Sequence, residues 1–401
     1  MGRPAGAPLT QTFSALFSSA TSSLRALIQA AAQPWRPVRV PVPGIRRPPF
    51  GTYDLNSVVS GTGTSIFQPM IRRCFGPVGL CLGLVLCGNG CLHDSNAPGA
   101  RPTKLIDLGA VGASEGPAWH PSGYLLFTGG GHITKRTAQG ELSIFRADSG
   151  GANGLLFDAQ GRLVVCESGQ RRVTRTEPDG TIVVLADRYQ GHRFNTPNDL
   201  TIDSKGRIYF TDPRYGPRDN MEMTDENGRL IEGVYRIDGP GQVTRILSEE
   251  LSRPNGILVA PGDHYLYVAD NVNDAVEGAR KLWRFDLLPD GSVDPKSRKL
   301  IFDWMDARGP DGLKIDQVGR LYVAAGLNKA NPPYETADHF TGGIYVLSPQ
   351  GRLLEFISIP NDEVTNCAFG GADLKTLFIT AGGHLCSWRI DTPGVVTFPP
   401  K

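Results

Sequence analysis

Six polar residues stand at the heads of six apolar stretches: Glu115, Asn153, Asn198, Asn255, Asp311 and Asn366. Each opens the same pattern, a few apolar residues, a polar turn usually containing Gly, then an alternating apolar strand. "EGPAWHPSGYLLFT" starts at Glu115, "NDLTIDSKGRIYFTD" at Asn198 and "DGLKIDQVGRLYVAA" at Asp311. A single Asn or Asp in such a place caps a turn. Six at equivalent places, two acidic and none cationic, need a positive charge if they converge. Their oxygens suit a hard cation, because calcium takes carboxylate and amide oxygens in loose geometry and keeps waters. Zinc prefers Cys and His, which the heads lack. Calcium is therefore the expected ion, with Mg2+ or Zn2+ as alternatives.

Convergence depends on the elements that carry the heads. Successive heads are 38, 45, 57, 56 and 55 residues apart. Between them lie second hairpin-like stretches such as "VTRTEPDGTIVVL" and "IYVLSPQGRLLEF". Each unit thus supplies four short strands with a turn every 8–12 residues or so, the pattern of a propeller blade. The expected fold is all-β, a six-bladed β-propeller over residues 104–398 with four-stranded blades around a central metal-binding channel. Two β-sandwiches would not repeat a polar head six times. The first strand of each blade lines the channel, so the six heads meet at one mouth. The late stretch "LCSWRID" is expected to pair with "TKLIDLG" near residue 105 and close the ring, which removes exposed sheet edges.

The N-terminal region reads differently. Residues 1–90 contain eight Arg, no Lys and one acid, Asp54, although the whole chain carries a net charge of +1. Subtraction leaves 33 basic and 39 acidic residues in 91–401, about −6 by the same count. No basic face for a nucleic-acid partner is indicated. Residues 1–69, rich in Ser, Ala, Pro and Arg, are expected to lie outside the fold, as a transit peptide or as sequence before the true start. Residues 70–91 have the order of an export signal: Arg72-Arg73, an apolar run from Phe75 to Cys87, then small residues. The ending "CGNGC" resembles a bacterial lipoprotein signal with the lipid on Cys91, although Gly88 stands where Leu is preferred. Residues 92–103 are then a linker, and the protein belongs in the bacterial cell envelope or periplasm, lipid-anchored at Cys91. Its only membrane contact would be that anchor. Cys166, Cys367 and Cys386 form neither a disulfide framework nor a zinc motif, and read as small buried hydrophobes.

"EGPAW", "NTPNDL", "RPNGIL" and "GPDGL" occur in order, each heading a different blade. Together they resemble the gluconolactonase/regucalcin family of six-bladed propellers, over roughly residues 104–391. The resemblance implies one divalent metal, usually calcium, held by Glu115, Asn198, Asn255 and Asp311. Asn153 and Asn366 match less certain positions and would hold waters or substrate. It implies lactone hydrolysis, with Asp311 as both ligand and base; Glu115 is the other candidate base and Asp199 a weaker one. Arg193 would contact sugar-acid oxygens, or else form a surface salt bridge. Tyr215, in "TDPRYG", is a further substrate-side candidate, and so are His192, His339 and His384, each of which equally suits a surface or turn. The insertion "GPRDNMEMTDENGRLIEG" fits a surface loop or a lid. Three functions remain open from sequence: a calcium-dependent lactonase acting as a monomer on a small lactone, a non-catalytic binding platform with a structural ion, and an ester or organophosphate hydrolase.

Overall fold

The computed structural model describes residues 104–397 together with Gly2. The export signal 70–91, Cys91, the linker 92–103 and, apart from Gly2, the extension 1–69 lie outside the described residues. Six four-stranded antiparallel sheets and one short hairpin, Arg188–Tyr189 with His192–Arg193, make up the fold, and no helix occurs among the described residues. Blade 1 comprises Glu115–His120, Tyr124–Gly129, His132–Thr137 and Leu142–Arg146. Blade 2 runs through Ala152–Phe157, Leu163–Glu167, Arg172–Thr176 and Ile182–Ala186. Blade 3 has Leu200–Ile202, Ile208–Asp212, Gly233–Gly239 and Gln242–Leu247. Blade 4 has Pro254–Val259, Tyr265–Asn271, Arg280–Leu287 and Val293–Asp303. Blade 5 has Leu313–Ile315, Leu321–Ala325, Gly343–Leu347 and Leu353–Ser358. Blade 6 takes three strands from the C-terminal end, Val364–Gly370, Thr376–Ala381 and Gly383–Arg389, and its fourth, Ile106–Ala113, from before blade 1. Ile106 pairs with Ser387 and Asp107 with Cys386, so the ring closes as the sequence leads one to expect.

Both faces of each blade are buried against neighbours. Strands such as Leu163–Glu167 and Leu321–Ala325 are therefore buried at every residue, and their sequences are apolar apart from the terminal Glu167. The core is six apolar clusters, one in each interface between adjacent blades. In blade 3, Phe210 packs towards blade 2 while its neighbour Tyr209 packs towards blade 4.

One device makes the turns after several of these strands. In D-x-x-G-R the Asp carboxylate accepts from the backbone and from the Arg side chain four residues on. Asp158 meets Arg162 Nε at 2.7 Å, Asp203 meets Arg207 at 2.5 Å and Asp316 meets Arg320 at 2.6 Å. The glycine supplies a left-handed backbone, φ +81° at Gly206, that a side chain resists. These turns lie at one end of the inner strands. The polar heads lie at the other.

Candidate active site at the upper mouth

Neighbouring blades touch through the heads. Thr128 donates to the carbonyl oxygen of Asn153 at 2.9 Å, and Thr211 to that of Asn255 at 2.6 Å. The backbone N–H of Gly154 donates to the carbonyl of Asn198 at 2.8 Å, and Asn153 Nδ2 reaches the same oxygen at 3.3 Å. The preceding blade thus holds each of these head carbonyls, which leaves the head side chains for the channel. The residue after the head must be small for this to work. At Gly116 a Cβ would strike the carbonyl of Asn153, at Gly256 that of Asp311, and at Gly312 the amide of Asn366. That explains the recurring "EG", "NG" and "DG". Blade 3 alone puts a carboxylate there, Asp199, which is 3% exposed.

Asp199 belongs to the cluster. Asn366 donates from Nδ2 to Glu115 Oε2 at 3.1 Å and reaches Asp199 Oδ2 at 3.5 Å. Asn366 Oδ1 accepts from the Cys367 N–H at 2.9 Å and faces Lys314 Nζ at 3.4 Å. Its oxygen is therefore engaged within the protein, and its amide links Glu115 to Asp199. Burial, and then the Asp199 charge, push the Glu115 carboxyl up to about 7. Asp311 is pushed well above the carboxylate range by burial and then by Glu115, with Arg308 opposing. Arg308 itself is buried between Glu335, at 2.6 and 2.9 Å, and Glu363, at 2.6 Å. Asp311 makes no side-chain hydrogen bond among the described residues, nor does Asn198. Asn255 donates from Nδ2 to the Tyr215 hydroxyl at 2.8 Å, while its Oδ1 is buried without a partner.

The remaining candidates fall outside this cluster. The guanidinium of Arg193 donates to the Gln170 carbonyl at 3.2 Å on an exposed rim, and its N–H is held by Glu222. His192 is exposed on the same short hairpin and His339 is exposed in a loop. His384 contacts Asp107 at 3.0 Å across the closing strands. The insertion after Tyr215 is anchored, with Met223 and Ile231 buried in the core between blades 2 and 3. Among the described residues the three cysteines are free and buried, and burial raises Cys367 to about 12 and Cys386 to about 11.

Sequence reasoning missed Lys314, Arg308 and Arg253. Lys314 carried a readable signal. Three residues after each head come Ala118, Leu156, Thr201, Leu258, Lys314 and Phe369, a second ring with a single charge. Arg308 and Arg253 sit in loops that share no repeat.

The heads fit a hard divalent cation. The donors are oxygens, two carboxyls are held protonation-prone by burial and by neighbouring carboxylates, and a buried amide oxygen lacks a partner. Among the described residues no group of three or more His, Cys, Asp or Glu side chains has the geometry of a metal site. A site built from two carboxylates and two amides would not form such a group.

The SMP-30/Gluconolactonase/LRE-like region matches residues 113–383. The chain belongs to this family. The gluconolactonase of Zymomonas mobilis is 33% identical over 306 residues, 70% of this chain and 79% of that protein. The 6-deoxy-6-sulfogluconolactonase of Pseudomonas putida is 28% identical over 200 residues, 49% of this chain and 57% of that one. Among solved structures, a gluconolactonase from Xanthomonas campestris superposes with a TM-score of 0.58 at 30% identity, over 72% of this chain and 89% of that one. The family match takes in five heads in full, Glu115 to Asp311, and Asn366 as well.

Proposed function

We propose that the protein is a calcium-dependent lactonase that opens a sugar lactone at the upper mouth. The observation that carries this reading is the pairing of buried, raised carboxyls at Glu115 and Asp311 with the unpartnered oxygen of Asn255, in a member of a family whose relatives include gluconolactonases. Glu115, Asn198, Asn255 and Asp311 would hold the ion. When bound, calcium supplies a Lewis acid that polarises the lactone carbonyl.

Asp311 is the better placed base, because its carboxylate is free of protein partners whereas Asn366 and the Gly116 N–H hold Glu115 Oε2. Its carboxylate takes a proton from the attacking water as the new C–O bond forms at the carbonyl carbon. The ring C–O bond then breaks, the ring oxygen takes the proton back, and a hydroxy acid leaves. Glu115 stays oriented by Asn366, and Asp199 adds to the negative field that makes both carboxylates readier to take up a proton. Buried elevation suits general base work near neutral pH. The N-terminal export signal would place this activity in the cell envelope, and mass spectrometry of the mature N-terminus tests for processing and a lipid at Cys91.

Asp311→Ala is the direct test of the chemistry. Its kcat/KM on a panel of sugar and aryl lactones should fall at least about 1000-fold, roughly 4 kcal/mol of transition-state stabilisation. The circular dichroism of the β-sheets should persist. Undiminished turnover on every active lactone contradicts the proposal, and calcium binding without lactone turnover by the wild type points to a structural ion.

A further inference from the structure

We infer that Tyr215 is a positioning residue that locks the Asn255 side-chain amide with its oxygen facing the cation site. The inference rests on the cation reading given above. Tyr215 has one hydroxyl proton. The Asn271 carbonyl, 3.1 Å away, can only accept, so the proton goes there. The second contact of the hydroxyl, 2.8 Å to Asn255, must then be donated to it, and only the amide nitrogen can donate. With Nδ2 fixed on Tyr215, Oδ1 points the other way. That oxygen is the buried atom without a protein partner. A buried carbonyl left unpaired costs about 1–3 kcal/mol, so a cation at that oxygen stabilises the arrangement. Without Tyr215 the amide could flip, turning an N–H towards the ion.

The chain spends further residues on holding Tyr215. Arg253 lies 5.2 Å from the centre of its ring, and is pinned by Asp274 at 2.9 Å and Glu232 at 3.3 Å. Glu232 also accepts from the Arg214 N–H at 2.7 Å and pairs with Arg218. Both ends of the insertion are tied to one carboxylate, so the segment serves as a fixed arm that delivers Tyr215. The tyrosine hydroxyl is fully engaged and has no proton left for substrate.

A cycle of four proteins tests this: wild type, Tyr215→Phe, Asn255→Asp and the double variant, each titrated with calcium by calorimetry. Phe keeps the ring under Arg253, and the melting temperature in chelator monitors the fold. Tyr215→Phe should weaken calcium binding about 10- to 100-fold, the usual cost of losing a residue that orients a ligand. An Asp at 255 presents an oxygen in either orientation. In that background the same Phe substitution should change affinity less than about threefold, a near-complete loss of additivity. Equal losses in both backgrounds, or no loss with Asn255, overturn the inference. A wild type that binds no calcium overturns the cation reading, and this inference with it.

Discussion

The two ends of the channel are built from the same six inner strands and carry opposite chemistry. At the upper mouth the heads gather Glu115, Asp199 and Asp311, whose charges repel one another. At the lower end the strands enclose a cavity of about 550 Å³ lined by Leu156, Thr201, Leu258, Lys314, Phe369 and the C-terminal Val395. The lower end holds this cavity, yet the groups able to do chemistry lie at the other end. A change of three residues along one strand crosses from one environment to the other. Asn366 stands at the boundary, with its nitrogen towards Glu115 and Asp199 and its oxygen towards Lys314. The upper mouth accepts electrostatic strain that a bound proton or a cation relieves. Three turns at the lower end are self-sufficient, in which Asp158, Asp203 and Asp316 each find their own Arg.

Glycines separate the two ends most sharply. Gly256→Ala would drive a Cβ into the carbonyl of Asp311. A shift of about 1 Å in a reacting group costs on the order of 100-fold in rate, and kcat/KM should fall by that much while the β-sheet signal remains. Retention of full activity would show that the heads are not packed as tightly as the structure shows.

A smaller effect follows from protons. The folded Glu115 carboxyl sits at about 7, above its ordinary 4.5. Between those values the calcium-free folded protein holds a proton that the unfolded chain has released, so its stability falls as pH rises through that window. Calcium must displace that proton below pH 7. Its affinity should therefore weaken as pH falls, by up to about tenfold per unit for one proton. Calorimetric titrations from pH 8 to pH 5.5 measure this. A flat profile would remove Glu115 from the site.

The smallest effect belongs to the lower end. At Gly206, φ is +81° and nothing crowds the Cβ position. Gly206→Ala should destabilise the protein by about 1–2 kcal/mol through backbone strain alone. Denaturant titration should show that loss with kcat/KM unchanged. A loss of activity at Gly206 would break the separation between the two ends.

The blade count and the heads were legible because a propeller repeats its strands, and a residue's place within a strand survives in the sequence. The closing pair Ile106 and Ser387 was legible for the same reason, since a sixth blade with three strands needs a fourth. Contacts between blades were not. Thr211 grips Asn255 across 44 residues, and Asn366 grips Glu115 across 251. No periodicity names such angular neighbours. Arg193 shows the converse. Its motif placed it near the mouth, but its guanidinium engages Gln170 on the rim. Asp199 joins the cluster for a reason the repeats contain once aligned, because it replaces the glycine that Gly116, Gly154, Gly256 and Gly312 supply in four other blades.

In the proposed reaction a divalent cation held by Glu115, Asn198, Asn255 and Asp311 at the upper mouth activates a lactone. The most direct test is the rate of glucono-lactone hydrolysis by protein stripped with chelator and then titrated with calcium. Turnover should vanish in chelator and return in proportion to calcium occupancy. Hydrolysis at the full rate in chelator, with no change on adding calcium, would contradict it.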